Sequence, residues 1–165
     1  MLKVRLAAAC FGFAALLSTT VAALAQTETN VPAPPLPSQI LAAKKVFISN
    51  TGNGFDSSAW SGGPNRIYDE FYMAMKNWER YELAGAPGDA DLVLDVNVIR
   101  DSVVWQFKLE ILDPRTGIVL WTQYEPIKIT VSQKTRDKNF DDTINKLVVD
   151  LKALTAQPAV ANTAK

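Results

Sequence analysis

From Ser102 to Leu112 apolar side chains recur at every second position. Val103, Trp105, Phe107, Leu109 and Ile111 fall on one side, and Gln106, Lys108 and Glu110 on the other. Successive strand residues point to opposite faces, so this alternation predicts a strand with one face against a core. Upstream, Leu92, Leu94, Val96 and Val98 share a face, with Asp91, Val93, Asp95, Asn97 and Ile99 opposite. A turn follows at Asp113-Pro114-Arg115-Thr116-Gly117, where proline presets the backbone, Asp113 can bond back to turn amides and Gly117 tolerates a positive φ. Ala90–Val131 therefore predicts a three-strand antiparallel meander.

The register of its second hairpin depends on the loop. A four-residue loop, Pro114–Gly117, sets Asp113 opposite Ile118 and Leu109 opposite Thr122. A loop one residue longer sets Leu109 opposite Trp121 and exchanges the buried side. The four-residue loop is preferred, and it gathers Val104, Leu112, Val119 and Trp121 on the face away from the main core. Pro126 cannot donate a ladder hydrogen bond, so the third strand, continued by Ile127–Val131, is expected at an edge or bulged there.

Helical spacing appears twice. Ile67, Phe71, Ala74, Met75 and Trp78 form an apolar stripe within Arg66–Arg80, with Asn65 as N-cap. Phe140, Ile144, Leu147, Val148, Leu151 and Leu154 form another within Phe140–Leu154, capped by Asn139. Lys45–Ser49 (KVFIS) predicts an opening strand and Tyr81–Ala84 a short edge strand. Two single-stripe helices and a sheet with one apolar face pack as a two-layer α+β sandwich. The expected sheet is mixed and mostly antiparallel, with about four or five strands and both helices on one face.

Met1–Ala25 reads as a secretory signal peptide. Lys3 and Arg5 precede the apolar run Leu6–Leu17, and Ala23-Leu24-Ala25 makes a small-x-small cleavage site. The run is shorter than the roughly 20 residues of a membrane span. Lipidation at Cys10 would leave too short an apolar segment before it, so membrane attachment is not expected unless Cys10 is lipidated. Residues 26–43, with Pro32, Pro34, Pro35 and Pro37, read as a semi-extended linker; a ligand for a partner's aromatic groove is the other reading. The single domain is expected over 44–154 and a frayed tail over 155–165. The location is periplasmic or secreted.

Losing Lys3 and Arg5 leaves fifteen basic against 17 acidic residues, too balanced for nucleic acid. The chain has no histidine, and its one cysteine is Cys10. The exported part therefore has neither the usual transition-metal ligands nor a histidine-activated nucleophile, and no metal, cofactor or catalytic residue is expected. Asp141 and Asp142, like Asp69 and Glu70, are explained by a helix N-terminus. Asp89 and Asp91 read as strand-entry residues, since no calcium loop surrounds them. Gly52-Asn53-Gly54-Phe55-Asp56-Ser57 lacks the third glycine and an adjoining helix, which argues against a nucleotide.

The long loop Asn50–Asn65 is the remaining place for function, as an ordinary connection or as a platform for Phe55 and Trp60. Trp78, Trp105, Phe107 and Phe71 are expected in the core. Phe55, Trp60 and Trp121 form the expected partner-binding surface.

The run KKVFIS, a helix, ADLVLDVNV, and LEILDPRTGIVLW closed by an amphipathic helix resembles small α/β domains of bacterial envelope proteins. These include uncharacterised secreted lipoprotein-like families and, more distantly, the TolB amino-terminal domain and the curli-secretion lipoprotein. The resemblance covers Lys44–Leu154, rests on Ala90–Leu94, Asp113–Gly117 and Leu120-Trp121, and carries over no active-site residue. It implies a non-catalytic envelope binding or adaptor domain whose partner is another envelope protein or a glycan. The alternatives are a carboxylate-dependent hydrolase of a cell-wall or surface polymer, and a structural oligomer subunit pairing through the Tyr124–Val131 edge.

Overall fold

The computed structural model describes residues 35–51 and 59–156. Five strands form one sheet in the order β2-β1-β3-β4-β5. They are β1 (Lys45–Ser49), β2 (Glu82–Leu83), β3 (Leu92–Asp101), β4 (Val104–Leu112) and β5 (Val119–Ile127). Helix α1 (Ser38–Ala42) precedes β1, α2 (Arg66–Trp78) leads to β2, and α3 (Gln133–Thr155) closes the domain. Strand β1 runs parallel to both β2 and β3, and the β3–β4–β5 meander is antiparallel. This is the two-layer α+β arrangement that the alternation and the two stripes predict.

The core lies between one sheet face and the helices. Val46 and Ile48 of β1, Leu92, Leu94, Val96 and Val98 of β3, and Phe107, Leu109 and Ile111 of β4 are buried there. Against them pack Ile67, Phe71 and Met75 of α2, and Phe140, Ile144, Leu147, Val148 and Leu151 of α3. Phe140 sits 4.9 Å from Phe107, ring edge to face, so the last helix is keyed to the middle of the sheet.

Several boundaries differ from expectation. Strand β3 runs to Asp101 and pairs it with Val104, so Ser102 and Val103 are the hairpin turn. Val103 is 82% exposed and does not join the inward row, which is half-buried at Trp105 and buried at Phe107, Leu109 and Ile111. Ser102 adopts φ 54°, the left-handed conformation that such a two-residue turn requires. Helix α3 begins at Gln133, seven residues ahead of the expected start, and Asn139 lies inside it, donating from Nδ2 to the Lys128 carbonyl. Asp141 and Asp142 are therefore not first-turn residues. The linker expected over 26–43 is folded at its end: Ser38–Ala42 is α1, and Ile40 is fully buried. Strand β5 runs through Pro126 at the sheet edge and stops at Ile127.

The four-residue loop is present. The Asp113 amide donates to the Ile118 carbonyl at 3.0 Å and the Gly117 amide to the Asp113 carbonyl at 2.8 Å. Beyond it, however, Leu112 pairs with Val119 while Ile111 pairs with Trp121, so Leu120 is an extra residue in β5. This β-bulge turns the rest of the strand over and sets Leu109 opposite Gln123 instead of Thr122. Gly117 sits at φ 68°, where a Cβ is strained, so Gly117→Ala is expected to cost about 1 kcal/mol in urea unfolding.

Candidate functional site

Of the three aromatic residues expected to form a surface, Trp60 and Trp121 are described, and neither stands on the outer sheet face. Trp60 is only 3% exposed: its ring stands edge-on to Trp105 at 5.3 Å and tilted against Phe140 at 5.5 Å, inside the core. The bulge places Trp121 on the Ile111 side of the sheet, where it packs half-buried against the core. It borders a shallow groove with Pro35, Pro37, Val119, Leu120 and Thr122. Val104 and Val119 remain exposed on the other face without it. Phe55 and the Gly52–Ser57 motif lie outside the described residues.

What holds the 59–65 segment is a charge network that sequence reading did not assemble. Arg66, at the start of α2, ion-pairs with Glu70 on its own helix and with Asp137 and Asp141 on α3. Its guanidinium also lies 4.4 Å from the Phe140 ring centroid. Asp137 accepts from the Ser61 amide at 2.9 Å and the Ser61 hydroxyl at 2.7 Å, and Arg136 donates to the Ala59 carbonyl at 2.8 Å. Arg66/Glu70 and Asp137/Asp141 are each spaced i,i+4, so each pair shares a helix face. That spacing was the legible signal; their meeting across two helices was not.

The Ser61 hydroxyl, together with the Arg66 guanidinium, holds the Asp137 carboxyl far below the usual range. Burial pushes Glu70 up, against the opposing pull of Arg66. Glu70 also borders a groove of about 350 Å³ with Asp69, Met73, Ala74, Asn77, Ile144 and Asn145.

A second, larger cavity of about 490 Å³ opens at the end of the sheet. It lies where α1, the start of β1, the entry to β3 and the β4–β5 loop meet, and Gln39, Lys44, Asp91, Asp113, Pro114 and Arg115 line it. Asp91 Oδ2 accepts from the backbone amides of Lys44 at 2.8 Å and Lys45 at 2.9 Å, which hold its carboxyl below the ordinary value. Asp113 accepts from the Arg115 amide at 2.9 Å and the Thr116 hydroxyl at 2.9 Å, with the same consequence. Gln39 also lines the cavity, donating to the Asp91 carbonyl at 3.4 Å. The sequence alone marks Asp91 as a strand-entry residue and Asp113 as a turn residue. Gln39 and Lys44 were missed because α1 is short and buried in a proline-rich run.

The outer sheet face is polar where β3 meets β4. Asp95 accepts from the Thr51 amide at 3.0 Å and hydroxyl at 2.8 Å, and from Asn97 Nδ2 at 2.6 Å; beside them Lys108 pairs with Glu110 at 2.7 Å.

These shifts fix the acid response. Asp91, Asp113, Asp137 and Asp150 are all held low, Asp150 chiefly by Lys146. A depressed carboxylate stabilises the fold fully above its unfolded value, and that stability is lost as pH falls through the folded one. Glu70, shifted upward, works in the opposite direction and offsets part of the loss. Melting temperature is therefore expected to fall on acidification below about pH 4 and, with no histidine to titrate, to stay level between about pH 6 and pH 8. Asp137→Asn should flatten the acid limb; an unchanged limb would mean that Asp137 does not carry it.

Among the described residues no helix is long and apolar enough to cross a membrane, and no group of three His, Cys, Asp or Glu is arranged to hold a metal ion. No family model matches the sequence, and no curated protein does. Among solved structures the chain is similar to PelC from Paraburkholderia phytofirmans, determined as a dodecamer. The identity there is 16% over 66% of this chain and 86% of that one, with a TM-score of 0.44. It is also similar to uncharacterised lipoprotein B from Nitrosomonas europaea, at 11% identity over 74% of this chain and 88% of that one, with a TM-score of 0.40. Both likenesses are of fold alone.

Proposed function

We propose that this chain is an exported, non-catalytic domain of the cell envelope that holds another envelope component, protein or glycan. The observation that carries the reading is the cavity at the end of the sheet. Backbone and hydroxyl donors hold Asp91 through Oδ2 and Asp113 through both oxygens and keep both acids ionised, so neither is placed to deliver a proton, while Lys44 and Arg115 face solvent beside them. Fixed charges in a cavity of this size suit recognition. The leader-like amino terminus and the lack of histidine support export and argue against nucleophile chemistry.

The test is crosslinking and pull-down from the native envelope. Wild type is expected to retain a component that a Lys44→Ala, Arg115→Ala double variant releases at unchanged melting temperature. Equal capture by the variant would remove the cavity from the reading.

One observation favours the hydrolase alternative. Glu70 is raised and Asp137 lowered across Arg66, and divergent carboxyls are what acid–base chemistry uses. Against it, the Arg66 guanidinium stands bonded to both acids, leaving no room for a scissile bond between them. Cleavage of a cell-wall polymer by wild type but not by Glu70→Gln would replace the binding reading with this one.

A further inference from the structure

We infer that the cavity at the end of the sheet takes a small zwitterion, the paired ammonium and carboxylate of an amino-acid head group. The inference rests on the binding reading above and names the ligand chemistry for the same site.

The lining carries two charges of each sign: Asp91 and Asp113, Lys44 and Arg115. A simple anion entering it meets both acids, and a simple cation meets both bases. A ligand bearing both charges a few bonds apart meets a complementary partner for each. The acids are fixed as acceptors, because backbone amides orient Asp91 and the turn orients Asp113. Asp91 spends Oδ2 on two amides, and Oδ1 has no hydrogen bond among the described residues, so it is open to an ammonium. Arg115 contributes only its backbone amide to the turn, which leaves its guanidinium for the bidentate carboxylate contact that its shape favours. Ala42, Ala43, Ala90 and Pro114 supply a small apolar wall for the ligand's carbon skeleton, and about 490 Å³ accommodates one with a side chain.

The experiment titrates the full chain by calorimetry with glycine, L-alanine, D-alanine and L-lysine. Acetate and methylammonium serve as probes of single charge. The amino acids are expected to bind, the single-charge probes about tenfold or more weaker, and Arg115→Ala or Lys44→Ala to lower amino-acid affinity by about tenfold, with Arg115→Lys retaining part of it. Acetate or methylammonium binding as well as the amino acids, no binding by any amino acid, or affinity unchanged in Arg115→Ala would each overturn the inference. Both alanine substitutions keep the backbone donors that the acids use, so loss of binding is separable from loss of fold by melting temperature. Envelope capture that persists without amino-acid binding sinks only this inference; amino-acid binding without capture sinks the broader reading and leaves the site.

Discussion

Trp60→Ala is expected to lower stability by about 3–5 kcal/mol in urea unfolding, the range for emptying a buried aromatic site. Trp60 fills the space between Trp105 on β4 and Phe140 on α3, and Phe140 in turn rests on Phe107. Truncation opens a void where the 59–65 segment, the sheet and the last helix meet, and close-packed neighbours collapse only partly into it. Trp121→Ala, at a half-buried site on the edge strand, should cost about 1–2 kcal/mol by the area it uncovers. The contrast is the informative part. A Trp60→Ala domain within about 1 kcal/mol of wild type would mean that this ring is not packed as described and would return it to the pool of contact residues.

The second large effect is expected at Arg66. Arg66→Ala removes a side chain that is 10% exposed and leaves Glu70, Asp137 and Asp141 facing one another without their cation. Breaking a fully buried pair costs about 3–5 kcal/mol; because Asp141 and Glu70 are partly solvated, about 2–4 kcal/mol is expected. Arg66→Lys should recover only part of this, since one ammonium cannot reproduce a fork reaching three carboxylates and covering the Phe140 ring. Chemical unfolding of both variants decides it: a lysine variant equal to wild type would show that charge alone matters.

Much of the sheet was readable because its period is simple. Strand β1 matches the KVFIS segment residue for residue, and the buried rows of β3 and, from Phe107 onward, of β4 are those of the alternation. What escaped has local physical reasons. The bulge at Leu120 inserts one residue after a correctly read loop, and period-two reasoning cannot see an insertion, so Trp121 was assigned to the wrong face. The first two turns of α3, Gln133 to Asn139, carry no apolar stripe; tertiary partners hold them, through Arg136 and Asp137 to the 59–61 backbone. Helix α1 has a single core residue, Ile40, among prolines, too little for a periodic signal. Trp60 sits in a glycine- and serine-rich segment, and composition there says nothing about which way a ring turns. The cavity at the sheet end is built by four segments far apart in the chain, each with an ordinary local explanation.

Strand β1 lies between β2 and β3, parallel to both, although it is the first strand to leave the ribosome. Val46 must wait for Leu92 before it has a lateral neighbour on the meander side. Until the chain has been made past that point, β1 has an unmatched backbone ladder on its β3 side. A polypeptide built in this order cannot complete its sheet until the segment carrying Leu92 to Asp95 has been synthesised.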